Sequence, residues 1–286
     1  MRGLAFTSPF IVGFFVFTLY PLLASFYYSF TQYSILTPSR WIGLANYSNL
    51  FTRDDLFWTS LGNTLYFVSL SVPLGLLTSF GLALALNARV RGISIYRTIF
   101  FLPTLVPSVA LSVLWLWIFN PQYGLLNQIL SWVSLPPLGW LTDVNQAKPA
   151  LILMSLWGVG GTVVIFLAGL QDVPSQLYEA ADIDGANGPQ KVFYITLPMM
   201  TPVILFNLIT GIIAGFQYFT QAYIMTNGGP INATLFYSLY LYRNGFQYIK
   251  MGYASAMAWI MFLIIFACTL LVFRVSRGLV YYGGAR

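Results

Sequence analysis

The sequence predicts an all-α polytopic membrane protein with six transmembrane helices, and three observations carry this prediction. Hydrophobic residues make up 58% of the 286 residues, charged residues make up only 7%, and the mean hydropathy is +0.75, far from the usage of soluble domains. A helix needs about 20 mostly apolar residues to cross the hydrocarbon core. Six segments meet this length without a charge near the middle: 4–30, 61–86, 99–119, 150–170, 202–225 and 253–273.

The first apolar segment is predicted to be a retained helix rather than a signal peptide. Its apolar run exceeds the roughly 7–15 residues of a signal-peptide core, only Arg2 precedes it, and no small-residue cleavage site follows it. We therefore count it as the first span.

The distribution of Lys and Arg predicts the orientation of the spans, because cytoplasmic loops carry an excess of these residues. If six spans alternate, one side receives the loop 172–201 together with Arg2, Arg89, Arg91, Arg97, Arg274, Arg277 and Arg286. We expect this side, with both termini, to be cytoplasmic. The opposite side holds Arg40, Arg53, Lys148, Arg243 and Lys250, scattered over longer loops. The net charge of +6 then reflects topology rather than nucleic-acid binding.

Several functional classes are disfavoured by residue types that the sequence lacks. It contains no His, and no span carries Asp, Glu, Lys or Arg near its middle, where proton pumps and many coupled carriers place ionisable relays. A phosphate-binding GxxxxGK[ST] loop is also absent. Without His, and with Cys268 alone in the last span, a Ser/His/Asp triad, a Cys/His pair and a His-containing metal site are excluded. The sequence predicts a non-catalytic membrane protein whose energy comes from a partner.

The polar loop 172–201 carries the signals of two short helices joined by a glycine bend. Pro174 suits the first turn of a helix, and Gly185 suits its end because glycine accepts left-handed backbone angles. Asn187 or Gly188 then caps a second short helix, which has a proline in its first turn.

A spaced motif runs through this loop. It reads E-A-A, three residues, Gly, nine residues and I-x-L-P, and is formed by Glu179, Ala180, Ala181, Gly185, Ile195, Leu197 and Pro198. In this motif the chain resembles the permease subunits of ABC importers, in which a cytoplasmic coupling helix docks on a separate ATPase. Two small alanines let another protein approach closely, and Glu179 offers an anchor for a basic or hydrogen-bonding partner. Pro198 is also expected to break or bend the chain before the fifth span.

The resemblance extends over nearly the whole chain and is to the carbohydrate branch typified by the maltose and glycerol-phosphate permeases. Its motifs are RTIFFLP at 97–103, WLWIFNPQYGLLN at 115–127, TNGGP at 226–230 and MGYASA at 251–256. One departure is Gly188-Pro189, where sugar permeases often carry a bulky or basic residue followed by Trp. Within this branch, the chain looks like the first permease of a heterodimeric pair.

The resemblance implies a type I ABC importer permease fold, with 1–286 as one transmembrane domain and 172–201 as its coupling loop. It implies a second homologous permease, two ATPase subunits and an extracytoplasmic solute-binding protein, assembled in the lipid of a bacterial or archaeal cytoplasmic membrane. ATP and Mg²⁺ would be used by the ATPases, and this chain itself would bind no cofactor, metal or nucleic acid. The residues implied in ATPase coupling are Glu179, Ala180, Ala181, Asp184, Gly185, Ile195, Leu197 and Pro198.

Polar and aromatic side chains within the spans are the candidates for contact with a carbohydrate, which is held by hydrogen bonds and by apolar contact with ring faces. They are Asn207, Thr210, Gln217, Tyr218 and Gln221 in span five, with Trp115 and Trp157 in spans three and four. Interfacial aromatic belts and helix–helix hydrogen bonds are the alternative roles for these residues. Gly211 and Gly215 are expected to allow close helix packing, or else to leave room for a ligand.

Two other functions stay open at the level of sequence. A membrane scaffold that binds an ATPase without passing solute would show the same coupling motif, whereas a stand-alone channel or secondary carrier leaves that motif unexplained. The solute class also stays open, among mono-, di- and oligosaccharides, polyols and glycerol phosphates. The absence of mid-span Lys and Arg argues mildly against a strongly anionic ligand held by this chain. The outward segments 32–60, 120–149 and 227–252 are expected to touch a binding protein.

Overall fold

A computed structural model describes residues 2–88 and 90–278, and most of these residues are helical. The helices are α1 (Arg2–Phe14), α2 (Tyr20–Ser29), α3 (Ala45–Thr52), α4 (Asp55–Leu86), α5 (Ile93–Phe101), α6 (Ser108–Ile118), α7 (Leu125–Trp132), α8 (Ala147–Trp157), α9 (Gly160–Gln171), α10 (Ser175–Ile183), α11 (Gly188–Lys191), α12 (Leu197–Phe216), α13 (Thr220–Met225), α14 (Tyr237–Tyr242) and α15 (Met251–Ser276). Arg89 and Arg286, which contribute to the predicted orientation, lie outside the described residues, as does the side chain of Arg2.

The predicted apolar segments all fall on helices that are long and apolar enough to cross a membrane, alone or as bent pairs. Four are candidate spans without a sharp bend: Phe6–Ser29, Asp55–Leu86, Gly188–Met225, which has a short break between α12 and α13, and Met251–Ser276. The other two are pairs, Ile93–Leu105 with Ser108–Ile118, bent by 99°, and Ala147–Trp157 with Gly160–Gln171, bent by 48°. The third and fourth predicted segments are therefore each broken into two helices, and the described residues carry four candidate spans, or six if each bent pair is one span.

Local sequence accounts for both bends. Val106 is extended, with ψ of 123°, because it precedes Pro107 and the proline ring disfavours helical angles at that position. In the fourth segment α8 ends at Trp157, before Gly158, and α9 begins with Gly160 directly against α5. A Cβ atom on Gly160 would stand 2.4 Å from the carbonyl oxygen of Phe100, so only glycine allows this approach.

Of the break or bend predicted at Pro198 before the fifth span, the break is wrong. The helix runs on from Gly188 to Phe216, and Pro198 lies in the first turn of α12. Directly before it, Val192–Thr196 form a π-helical turn. This wider turn relaxes the usual i−4 spacing, at which a proline ring would collide with the preceding carbonyl group.

A small antiparallel hairpin between the first two spans departs from the all-α prediction. Strand β1 (Thr31–Ser34) pairs with β2 (Thr37–Trp41), with Thr31 opposite Trp41. The amide of Asn46 in α3 donates to the carbonyl groups of Ser29 and Thr31, at 2.8 and 2.9 Å, and holds the base of the hairpin against α2. The fold class is unchanged, because these nine residues lie between helices.

Helix α4 lies at the centre of the packing, with a buried cluster at each end. The end beside the loop 172–201, hereafter the coupling end, is filled by Ala83, Leu86, Val163, Phe166, Leu167, Leu170 and Met200. The opposite or distal end is filled by Phe57, Phe67, Trp115, Leu151, Met154, Leu235 and Tyr237, among others. Between them α12 approaches α4 closely at Gly211 and Gly215, where an added Cβ would stand 3.1 Å from Val72 and 2.9 Å from Val68.

The surface of the first span is apolar and unburied. Phe6, Phe10 and Phe17 are 87%, 78% and 80% exposed, and none of the most apolar window of Phe6–Ser29 is buried within the chain. Aromatic side chains of this size are stable on a surface that faces lipid or another apolar chain rather than water. The fold therefore matches a membrane-embedded protein.

Candidate solute cavity and coupling loop

A cavity of about 250 Å³, hereafter the central cavity, lies between α4, α8, α9 and α12. Its polar lining consists of Ser71, Ser79, Ser155, Thr162, Asn207 and Tyr218. No lining residue carries a charge, and the remaining surface is aliphatic, glycine or phenylalanine. Such a lining suits a neutral ligand that carries many hydroxyl groups. The hydroxyl and amide groups offer hydrogen bonds, and the apolar walls offer contact with the faces of its rings.

Tyr218 stands between the central cavity and a second one. This side cavity, of about 290 Å³, is bounded by the loop before α6 and by α8, and shares Ser155, Gly158 and Tyr218 with the central cavity. The Tyr218 ring packs against Phe67, with a centroid distance of 4.3 Å. Its hydroxyl group is buried and has no hydrogen-bond partner among the described residues. Leaving such a group unsatisfied costs about 1–3 kcal/mol, which a hydrogen-bonding partner would recover.

The structure divides the predicted path residues into two groups. Asn207, Gly211, Gly215 and Tyr218 line the central cavity, and Gln221 lines the side cavity. The others, Thr210, Gln217, Trp115 and Trp157, line neither cavity. Gln217 ends α12 with its side chain exposed, and the ring of Trp115 is buried against Phe119 at 4.9 Å and Trp157 at 6.2 Å.

Sequence reasoning missed the wall that α4 contributes to the central cavity. Phe67, Ser71, Gly75 and Ser79 recur every fourth residue, so they lie along one face of the helix. A repeat of small and hydroxyl-bearing residues at this spacing inside an apolar segment is the sequence signal that indicates this wall. The sequence prediction considered large polar and aromatic residues and therefore did not include it.

The coupling loop has the two short helices that the sequence predicts. Helix α10 follows Pro174, and Gly185 beyond its end has a φ of +77°, which favours glycine. Asn187 caps α11 in a reciprocal capping box with Gln190. An ion pair between Lys191 and Asp182 then joins α11 to α10.

The loop presents an exposed and partly apolar surface. Ile183 and Tyr194 are 88% and 80% exposed, and Glu179 is exposed as well. A shallow pocket of about 370 Å³ lies between the two short helices and is lined by Ala181, Asp184, Gly185, Lys191, Tyr194 and Ile195, among others. Of the predicted coupling residues, Glu179 and Ala180 flank this surface, whereas Leu197 and Pro198 lie in α12.

At the distal end a carboxylate ties three helices together. Asp54 caps α4 by accepting from the backbone N–H of Phe57 at 3.1 Å, and it also accepts from the hydroxyl groups of Tyr240 and Tyr253. Burial, and then the hydrogen bond to Asp54, raise the pKa of Tyr240 above its ordinary range, so this hydroxyl stays a donor. A pocket of about 680 Å³ opens here and is also lined by Arg53 and Lys250.

Comparisons with known proteins match the whole chain to one group. Residues 71–280 match the model of the family described as "Binding-protein-dependent transport system inner membrane component". The chain is 45% identical over 286 residues to the "Probable ABC transporter permease protein YesP" of Bacillus subtilis (strain 168), covering 99% of this chain and 92% of that protein. It is 34% identical over 277 residues to the "Arabinooligosaccharides transport system permease protein AraP" of the same organism, covering 95% and 87%.

Two solved structures share the fold. One is titled "Crystal structure of a bacterial ABC transporter involved in the import of the acidic polysaccharide alginate", with a TM-score of 0.84 and 26% identity, covering 97% of this chain and 95% of that chain. The other shows a bacterial alginate ABC transporter in complex with an alginate pentasaccharide-bound periplasmic protein, with a TM-score of 0.84 and 27% identity, covering 98% and 95%.

Proposed function

Since the chain belongs to the family of binding-protein-dependent transport system inner membrane components, we propose that it forms one half of the solute path of an ATP-driven importer. It is a permease subunit of a carbohydrate ABC importer, and the proteins reported above include an arabinooligosaccharide transport system permease and an ABC transporter that imports alginate. The family match and the permease relatives confirm the resemblance to this class that the E-A-A motif indicated.

The observation that carries the proposal is the unpaired Tyr218 hydroxyl in an uncharged, hydroxyl-lined cavity. A sugar hydroxyl group reaching Tyr218 would satisfy that buried oxygen, and the Phe67 ring beside it offers an apolar face to the sugar. Asn207 and Ser155 supply further polar groups on two other walls of the cavity. Modest affinity suffices here, because capture of solute belongs to the binding protein.

Helix α12 and the short helices before it connect this cavity to the coupling loop. One continuous helical stretch, residues 188–216, carries Ile195 at its coupling end and Asn207 in the cavity wall. Tyr218 follows in the short break before α13. Movement of the coupling loop would therefore turn the cavity wall with it as one body. Alternating exposure of the cavity to the two sides of the membrane would follow from such rotation.

The proposed role as one half of the solute path requires several partner proteins. Two ATPase subunits would each receive one coupling loop and would use ATP and Mg²⁺, while this chain binds neither. A second homologous permease would complete the path, and an extracytoplasmic solute-binding protein would deliver solute to the distal face. In this arrangement both termini and the loop 172–201 would lie in the cytoplasm, with six spans in the inner membrane.

Reconstitution of the complete complex in liposomes tests this function. ATP hydrolysis and uptake would be measured with the partner permease, the ATPases and the binding protein, across mono- to oligosaccharides, polyols and glycerol phosphates. Stimulation of both activities by one carbohydrate class is expected. The alternative function, a scaffold that binds an ATPase without passing solute, predicts hydrolysis that ignores every solute and no uptake at all.

A further inference from the structure

We propose that Lys148 selects for negative charge at the distal end of the solute path, so that the carbohydrate carried bears a carboxylate group, as in uronate oligosaccharides. This inference rests on the proposed function, since it assigns a substrate class to the same path. It also reverses the expectation from sequence that this chain does not favour an anionic ligand. That expectation considered charges in the middle of the spans, and Lys148 lies at the start of α8.

The walls of the central cavity lead to Lys148. On α8, Ser155 lines the cavity and Lys148 lies seven residues earlier on the same face, about 10 Å towards the distal end. On α4, Phe67 lines the cavity and Asn63 lies one turn earlier. The ammonium group of Lys148 donates to the Oδ1 atom of Asn63 at 3.0 Å. The two walls are therefore joined, just beyond the cavity, by a cation.

The side chain of Lys148 is turned into the helix interface. Asn63, its partner, is only 6% exposed, and the backbone on either side of Lys148 is packed through the buried residues Ala147 and Ala150. The ammonium group also lies over the ring of Tyr66, 5.0 Å from its centroid. A lysine that merely anchors a helix in the lipid headgroups would extend towards solvent. Lys148 instead holds its charge between α4 and α8.

No carboxylate neutralises Lys148 within the described part of the chain, where the recorded ion pair joins Lys191 to Asp182. An ammonium group has three donors, and Asn63 accepts from one of them. The bond from Lys148 to Asn63 is already charge-assisted, and a ligand carboxylate would add an opposite charge as the acceptor for a second of its donors. The Asn63 side chain would stay in place, because its own amide donates to the carbonyl groups of Asn232 and Leu235.

The surrounding distal face is positive as well. Its segments carry five cations, Arg40, Arg53, Lys148, Arg243 and Lys250, against three carboxylates, Asp54, Asp55 and Asp143. Two of the carboxylates are already engaged, since Asp54 accepts from two tyrosines and Asp143 accepts from the backbone N–H of Asn145. Such a surface attracts an anion before contact. The central cavity beyond Lys148 is uncharged, so an anion would leave it more readily than it would leave a cavity that contained a second cation.

The test compares uronates with their methyl esters, which keep every ring and remove only the charge. Uptake by the complete complex in liposomes would be measured for oligomers of galacturonate, glucuronate and mannuronate, each as acid and as ester, at saturating binding protein. We expect Lys148→Met to lower uptake of the transported uronate by about ten- to a hundredfold and to leave ester uptake unchanged. Lys148→Arg keeps the charge and should keep the preference.

Any of three other outcomes would overturn the inference. If neutral carbohydrates stimulate uptake and no uronate does, the substrate class is wrong while the proposed function stands. If Lys148→Met lowers uptake of acid and ester equally, the lysine serves assembly or a carboxylate of the binding protein. If the wild-type complex responds to no carbohydrate of any kind, the proposed function fails first. Recovery of the intact complex on a sizing column excludes misfolding of the variants.

Discussion

The hydroxyl oxygens of Tyr178 and Thr196 lie 2.9 Å apart and join the first coupling helix to the base of α12. Thr196 is only 3% exposed, and its hydroxyl oxygen also lies 3.3 Å from the carbonyl group of Lys191. Tyr178 lies directly before Glu179 of the coupling motif. We therefore expect a force that a docked ATPase applies to α10 to reach the helix that lines the central cavity in part through this hydrogen bond, beside the ion pair of Lys191 with Asp182.

Replacing Tyr178 by Phe should loosen this connection and leave the docking surface intact. A neutral hydrogen bond contributes about 0.5–1.5 kcal/mol, so uptake per ATP hydrolysed should fall about two- to tenfold. ATPase binding to the complex should stay unchanged, since Glu179, Ile183 and Tyr194 keep their exposure. Uptake and hydrolysis measured together in liposomes give this ratio directly.

A double-mutant cycle with Thr196→Val supplies the control for Tyr178→Phe. If the two hydroxyl groups act through each other, the double variant should be no worse than the more severe single variant. Additive losses would show that the two residues act separately, and an unchanged ratio in Tyr178→Phe would remove the bond from the coupling route.

Charge reversal at Glu179 should weaken docking of the ATPase. Glu179 is exposed on α10 beside the pocket between the two short helices, and no ion pair within the described residues engages it. A Glu179→Lys variant should lose both ATPase copurification and uptake while still inserting into the membrane. Asp55→Lys, at the distal end of α4, makes the same change of charge far from the coupling loop and should leave ATPase copurification intact. Normal assembly and uptake in Glu179→Lys would contradict the coupling role.

The glycine of the M-G-Y-A-S-A motif should be needed for packing. A Cβ atom on Gly252 would stand 2.1 Å from the carbonyl oxygen of Thr31 and 3.0 Å from that of Tyr28, and backbone atoms cannot swing aside as a side-chain tip can. Gly252→Ala should destabilise the chain by about 1–3 kcal/mol, seen as a lower unfolding temperature of the detergent-solubilised complex. Gly81→Ala is the matched control, because nothing lies within 4 Å of its added Cβ. Equal unfolding temperatures for the two variants would contradict this contact.

Sequence was sufficient for features that depend on composition and on local backbone rules. The apolar segments and the helix cap at Asn187 follow from hydropathy and capping, and the family follows from the E-A-A motif. The bend at Val106 and the uninterrupted helix at Pro198 did not follow, because the same residue type breaks one helix and is accommodated in another by a π-helical turn. The pairing of Lys148 with Asn63 joins residues 85 positions apart and depends on how α4 meets α8.

Tyr218 should show opposite effects on stability and on transport. Because its buried hydroxyl has no partner among the described residues, Tyr218→Phe removes an unsatisfied group and should stabilise the empty complex by about 1–3 kcal/mol. The same change removes a hydrogen bond to the solute, so uptake should fall while ATPase assembly is retained. Tyr240→Phe makes the identical chemical change at a hydroxyl that donates to Asp54 at 2.7 Å, and it should lower stability instead. Thermal unfolding and uptake would be measured for the wild-type complex and for both variants. Lower stability in Tyr218→Phe would mean that the hydroxyl group of Tyr218 is already hydrogen-bonded. Unaltered uptake in Tyr218→Phe would mean that Tyr218 lies outside the solute path.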